Sequence, residues 1–158
     1  MIEAIYCDVH GTLVNFLGAW AQVAKVDLST WKRGAYSAEE ALGINEREFW
    51  HPILEHDAGW WADLPLLPMA AALVETLRDA APVRFVSSPR CPALRSEAGG
   101  TTELVHEYFC SDVRLVRDKS ELAARNRLLV DDSDEQVAAW RRAGGRAILV
   151  PRFWNSAA

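Results

Sequence analysis

Asp8, Ser87, Lys119 and the pair Asp131-Asp132 are residues whose types and spacing suit one piece of chemistry. Asp8 closes the apolar run Ile2 to Cys7, Ser87-Ser88 close Val83 to Val86, and Asp131-Asp132 close Leu128 to Val130. Lys119 lies in the connection before the last of these. Oxygen ligands from Asp8 and Asp132 suit a hard cation such as Mg²⁺, which takes one or two carboxylates, keeps waters and shares a phosphate. Ser87 offers a donor to a phosphate oxygen, and Lys119 a point charge that also offsets the carboxylates. A free Asp8 oxygen is then placed to attack phosphorus in line and form an aspartyl phosphate. Singly, each group has a blander reading. Asp131-Asp132-Ser133 caps a helix, Ser87-Ser88-Pro89 is a strand-to-turn sequence, and Lys119 is a solvated surface lysine. Their order along the chain, each on its appropriate element, favours the chemistry.

The elements that must position these groups are short apolar strands alternating with helices. Besides the three runs above, Val113 to Val116 and Ala147 to Val150 read as strands. Helical spacing appears at Ala70 to Leu77, at Leu94 to Phe109 with an interruption at Gly99-Gly100, and at Val137 to Ala143, which Gly144-Gly145 closes. Strands too continuously apolar to show an exposed face predict an α/β fold, a Rossmann-like doubly wound parallel sheet covered on both sides. In such a sheet the C-terminal strand ends converge on one crevice, which is where ligands bind. The segment 15–67 does not follow the alternation: it has helical periodicity at Trp20 to Val26 and Ala38 to Leu42, and ends in Leu64-Pro65-Leu66-Leu67-Pro68. It reads as a small helical cap inserted into a core formed by 1–14 and 68–158. Pro151 to Ala158 reads as a tail draped over the domain.

Composition narrows the partners. At 158 residues and 50% hydrophobic, the chain is expected to form one domain with a substantial core. A formal net charge of −5 argues against a surface that neutralises a nucleic-acid polymer. There is no apolar run of membrane-spanning length and no signal-peptide pattern at the start. Three scattered cysteines form neither a disulfide framework nor a zinc cluster, which points to a reducing cytoplasm; Cys7 and Cys110 read as buried.

The segment Asp8-Val9-His10-Gly11-Thr12, with Ser87, Lys119 and Asp131-Asp132, resembles the motif set of the haloacid dehalogenase-like (HAD) hydrolase superfamily, whose phosphatases carry Asp-x-Asp-Gly-Thr in the first motif. Within it the chain is most similar to the 5′(3′)-deoxyribonucleotidases, on Phe16, Trp60-Trp61 before Leu64-Pro65, Ser87-Ser88-Pro89, Arg117-Asp118-Lys119-Ser120 and Leu128 to Asp132. The resemblance implies an HAD core and a Mg²⁺-dependent phosphomonoesterase acting on a small phosphoester, best matched by a nucleoside monophosphate, and a homodimer. It implies Asp8 as nucleophile and metal ligand, the His10 carbonyl and Asp132 as further ligands, and Asp131 in the outer shell. Ser87, Ser88 and Lys119 would hold the phosphate.

His10 stands where the family has its second aspartate, which protonates the leaving oxygen and then activates water. Imidazole, with an ordinary pKa near 6.5, suits both tasks near neutrality. Nearby carboxylates should raise that pKa and a bound cation should oppose the rise. Three readings stay open: His10 is the acid/base, it points away and water acts alone, or the site only binds a phosphorylated ligand or partner. A different small phosphoester is the alternative substrate. Seven tryptophans are many for this length, and Phe16, Trp60 and Trp61 are candidates for a wall that stacks on a nucleobase. The competing reading is that such aromatics build the cap's own core. Trp140 and Trp154 read as packing residues.

Overall fold

The computed structural model describes residues 1–158. Its central strand is β1 (Ala4–Asp8), buried at every position. β1 pairs in parallel with β2 (Val83–Ser87) on one side and β4 (Arg127–Asp131) on the other. β3 (Val113–Leu115) and β5 (Arg146–Leu149) complete a five-stranded parallel sheet in the order β3-β2-β1-β4-β5. A strand with neighbours on both edges and layers on both faces needs apolar residues on both faces, which explains the unbroken run at β1.

Two clusters cover the two faces. One joins Ile5, Cys7, Phe85 and Val130 to Leu104 and to Trp20, Trp31, Trp50 and Trp61. The other packs Tyr6, Val86 and Leu129 against Trp140. The segment after β1 supplies four short helices, α1 (Phe16–Ala24), α2 (Ala38–Leu42), α3 (Glu46–Trp50) and α4 (Ala58–Ala62). Polar side chains start each of them: Asn15, Ser37, Asn45 and Asp57 all accept a first-turn N–H, and Asn45 with Glu48 forms a capping box. The two ends of the segment lie side by side, because Asn15 N–H donates to the Pro65 carbonyl and Leu67 N–H to that of Leu13.

The remaining helices are α5 (Ala70–Ala80), α6 (Leu94–Phe109) and α7 (Asp134–Arg142). The expected interruption at Gly99-Gly100 is absent, and α6 runs straight through. Gly100 has a packing reason: a Cβ there would lie 2.3 Å from the Ala58 carbonyl oxygen and 2.3 Å from the Trp61 Cβ, so its bare backbone lets α4 approach α6. A second expectation fails at Cys110. It is exposed, in the left-handed conformation at the C-cap of α6, whereas Cys7 and Cys91 are buried. No helix is long and apolar enough to cross a membrane.

Candidate active site

The C-terminal ends of β1, β2 and β4 bring Asp8, Ser87 and Asp131 together, and the turn after β4 adds Asp132. All four are buried. Ser133, not the aspartates, caps α7 by accepting the Gln136 N–H, so the acidic pair is left for the site. Lys119 begins a 3-10 turn, Lys119–Leu122, that drops its side chain between two carboxylates. Its Nζ lies 2.5 Å from Asp8 Oδ1 and 2.7 Å from Asp131 Oδ2. The surface-lysine reading is thereby overturned: Lys119 is only 3% exposed.

Charge is unevenly shared in this crevice. Burial works against the Lys119 ammonium, but the charges of Asp8 and Asp131 outweigh it and hold the group above the ordinary lysine range. Asp131 and Asp132 are both pushed above the usual carboxylate range, first by burial and then by the charge of Asp8. Asp131 moves up despite its ion pair because burial and the Asp8 charge outweigh the Lys119 ammonium. Ligand atoms of Asp8, Asp131 and Asp132 all lie within 4.8 Å of one another, and Asp8 Oδ2 is buried with no hydrogen-bond partner. An all-oxygen set with formal charge −3, against +1 from Lys119, could hold a hard divalent cation.

The loop between β1 and α1 is pinned to this centre. Gly11 N–H donates to the Val14 carbonyl, Leu13 and Val14 N–H to that of Val9. Gly11 has φ +87°, and a Cβ there would lie 2.3 Å from Asp132 Oδ2. Glycine therefore serves both the turn and the approach of the loop to Asp132. Thr12 Oγ1 donates to Asp132 Oδ1 at 3.4 Å.

His10 lies against α6. Its Nε2 is 3.4 Å from Thr101 Oγ1, and its Nδ1 is 3.9 Å from Glu97 Oε1, ion-pair range and beyond a hydrogen bond. Thr101 donates its hydroxyl proton to the Glu97 carbonyl, so toward His10 it is an acceptor. Burial, and then the charge of Lys119, push the imidazole down to about 4. The net shift, which opposing charges leave open in the sequence, is thus downward, with burial dominant. Glu97, which no motif in the sequence marks, is only 4% exposed. Its Oε2 accepts the N–H groups of Arg90 and Cys91, yet burial pushes its carboxyl up to about 7. Near neutrality the pair is thus a neutral imidazole facing a carboxyl that is about half protonated.

Above these groups opens a cavity of about 470 Å³, within the usual range for small-molecule sites. Asp8, His10, Ser87, Ser88, Lys119, Asp131 and Asp132 line it, with Phe16 and Trp61. Phe16 and Trp61 stack on each other, centroids 5.4 Å apart and planes within 6°. Trp60 is not in the lining: it turns its ring to His56, centroids 5.0 Å apart. Phe49 and Trp50 from α3, with Trp31 and Tyr36 from the irregular chain before α2, line the wall instead. Ser88 Oγ is buried without a partner beside Ser87. Trp154, expected to be a packing residue, donates its indole N–H to Asp132 Oδ2 at 2.7 Å.

No protein-family model matches this chain, and no curated protein matches it in sequence. Solved structures do match. An HAD family enzyme from Bacteroides thetaiotaomicron, in complex with magnesium and inorganic phosphate, aligns with a TM-score of 0.52 and 13% identity over 97% of this chain and 96% of its own. A haloacid dehalogenase-like hydrolase from Streptococcus pneumoniae aligns with a TM-score of 0.59 and 16% identity over 99% and 88%. A variant of CbbY from Rhodobacter sphaeroides, in complex with xylulose-(1,5)bisphosphate, gives 0.54 and 18% over 99% and 89%. At such identities the likeness is one of fold. The chain has the α/β, Rossmann-like fold of haloacid dehalogenase-like hydrolases.

Proposed function

We propose that this protein is a Mg²⁺-dependent phosphomonoesterase working through an aspartyl phosphate on Asp8, with nucleoside monophosphates as substrates. The single observation that carries the reaction is the Asp8 carboxylate: Lys119 holds Oδ1, while Oδ2 is buried and unpartnered at the cavity floor. Proteins of the same fold hold magnesium and phosphate or a sugar bisphosphate. In this reading residues 15–67 are a cap over a core of 1–14 and 68–158, and the molecule is a homodimer.

Asp132, the His10 carbonyl and Asp8, through the oxygen that does not attack, would hold the cation, with Asp131, both of whose oxygens already accept hydrogen bonds, behind them. When bound, Mg²⁺ supplies charge that screens the attacking carboxylate from the phosphate. Ser87, Ser88 and Lys119 bind the phosphoryl oxygens. Asp8 Oδ2 attacks phosphorus, and the bond to the leaving oxygen breaks. Water then attacks the same phosphorus, which releases inorganic phosphate and restores the carboxylate. His10, an unprotonated imidazole near neutrality, takes the proton from that water, and Glu97 beside it, with a carboxyl near 7, supplies a proton to the leaving oxygen. The aromatic wall beside the phosphate cradle supports a nucleoside as leaving group.

A second reading is favoured by one observation. Both His10 ring nitrogens face α6, which suits a domain that binds a phosphorylated ligand without turnover. Hydrolysis of an aryl phosphate with and without Mg²⁺ separates the two. Mg²⁺-dependent release that Asp8→Asn abolishes supports the enzyme; release no greater than from Asp8→Asn supports the binding domain. A panel of deoxynucleoside, ribonucleoside and sugar phosphates then tests the substrate class, with faster turnover of the nucleotides expected.

A further inference from the structure

The chain beyond β5 turns back across the C-terminal ends of the strands and grips two parts of the site at once. Val150 N–H donates to the Asp131 carbonyl at 2.8 Å. Arg152 then reaches the loop after β1, with Nε donating to the Gly11 carbonyl at 2.9 Å and Nη2 to that of Thr12 at 2.8 Å. Asn155, fully buried, donates its amide to the carbonyls of Asp132 at 2.9 Å and Val150 at 2.8 Å. Between them Trp154 points its indole N–H at Asp132 Oδ2, 2.7 Å away.

The chemistry of that donor matters. An indole N–H is a single, fixed, uncharged donor. It fixes the plane of a carboxylate without cancelling its charge, as an ammonium would. Asp131 is tied to Lys119, whereas Asp132 is oriented by a neutral group and has no ion-pair partner that a cation would have to displace. Its other oxygen, Oδ1, is met only by the long 3.4 Å contact from Thr12. Arg152 bonds the Gly11 and Thr12 carbonyls, so the same segment fixes the distance between Asp132 and the loop that follows Asp8.

We propose that Trp154 is a positioning residue that sets the affinity of this site for a divalent cation, with Arg152 and Asn155 holding it in place. The inference rests on the reading that Asp132 is a cation ligand. Outer partners of metal ligands commonly contribute on the order of 10- to 100-fold in affinity, and Trp154→Phe removes the N–H while keeping an aromatic ring in the packing. Calorimetric titration of the full chain with Mg²⁺ alone should show binding weakened at least about tenfold in Trp154→Phe, with the melting temperature of the metal-free proteins little changed. Wild-type protein gives a second readout that needs no variant. The assigned indole N–H resonance of Trp154 should move on adding Mg²⁺, while that of Trp140, packed on Tyr6 across the sheet, should stay. Equal affinities in the two proteins, or an unmoved Trp154 resonance in a wild type that binds Mg²⁺, would overturn the proposal. A wild type that binds no divalent cation would overturn it together with the ligand role of Asp132. Binding with the expected Trp154 dependence but no hydrolysis would leave it standing and remove only the phosphatase reading.

Discussion

At the scale of single residues, the site is a set of buried charges whose balance decides both stability and chemistry. Lys119 is the one ammonium among three carboxylates, and removing one partner of a buried pair typically costs about 3–5 kcal/mol. Lys119→Met should lose stability in that range at pH 8 and less at pH 5, where the abandoned carboxylates protonate; denaturant unfolding at the two pH values checks this. Glu97 carries the clearest pH signature. Its carboxyl is raised from 4.5 to about 7 in the folded protein, so its favourable contribution is complete below about pH 4.5 and lost as pH rises through 7. Glu97→Gln keeps an acceptor for the Arg90 and Cys91 N–H groups and removes the penalty. The variant should match wild type near pH 4.5 and exceed it by on the order of 3 kcal/mol at pH 8; parallel stability curves would rule the shift out. His10 acts in the opposite sense. Lowered from 6.5 to about 4, it contributes stability present above 6.5 and lost as pH falls through 4.

At the scale of elements, close backbone approaches set the geometry. Gly100→Ala would drive a methyl into the Ala58 carbonyl and the Trp61 Cβ, both part of or beside α4, and should cost about 1–3 kcal/mol, read as a lowered melting temperature. Gly11→Ala faces both φ +87° and the Asp132 carboxylate, so it should abolish Mg²⁺ binding in titration even where the chain still folds. These elements were unequally legible in the sequence. All five strands could be read: the central ones because a buried parallel strand leaves an apolar run with a polar stop, as at Asp8 and Asp131, and the partly exposed edge strands β3 and β5 from shorter apolar stretches. Glu97 was not, since a glutamate in a helix is ordinarily solvated and only the packing of α6 against the β1 loop buries it. Gly99-Gly100 looked like a helix break because propensity reports the cost of glycine and not the neighbour it admits. Trp154 lies in irregular chain, and no local pattern tells which carboxylate a reversed tail will meet.

At the scale of the whole molecule, a parallel sheet gathers strand-end groups into one crevice, and the helices of 16–62 share their core with that sheet and line part of the cavity. The aromatic excess does both jobs: Trp20 is buried in the core, whereas Phe16 and Trp61 stack at the cavity wall. The central claim is that Asp8 is the group that takes the phosphoryl. Wild-type protein mixed with an aryl phosphate and Mg²⁺, quenched, reduced with borohydride and digested for mass spectrometry tests it directly. Conversion of Asp8 to homoserine in wild type, absent without substrate, is the predicted result. Turnover that leaves residue 8 unmarked, or that persists at the wild-type rate in Asp8→Asn, would contradict it.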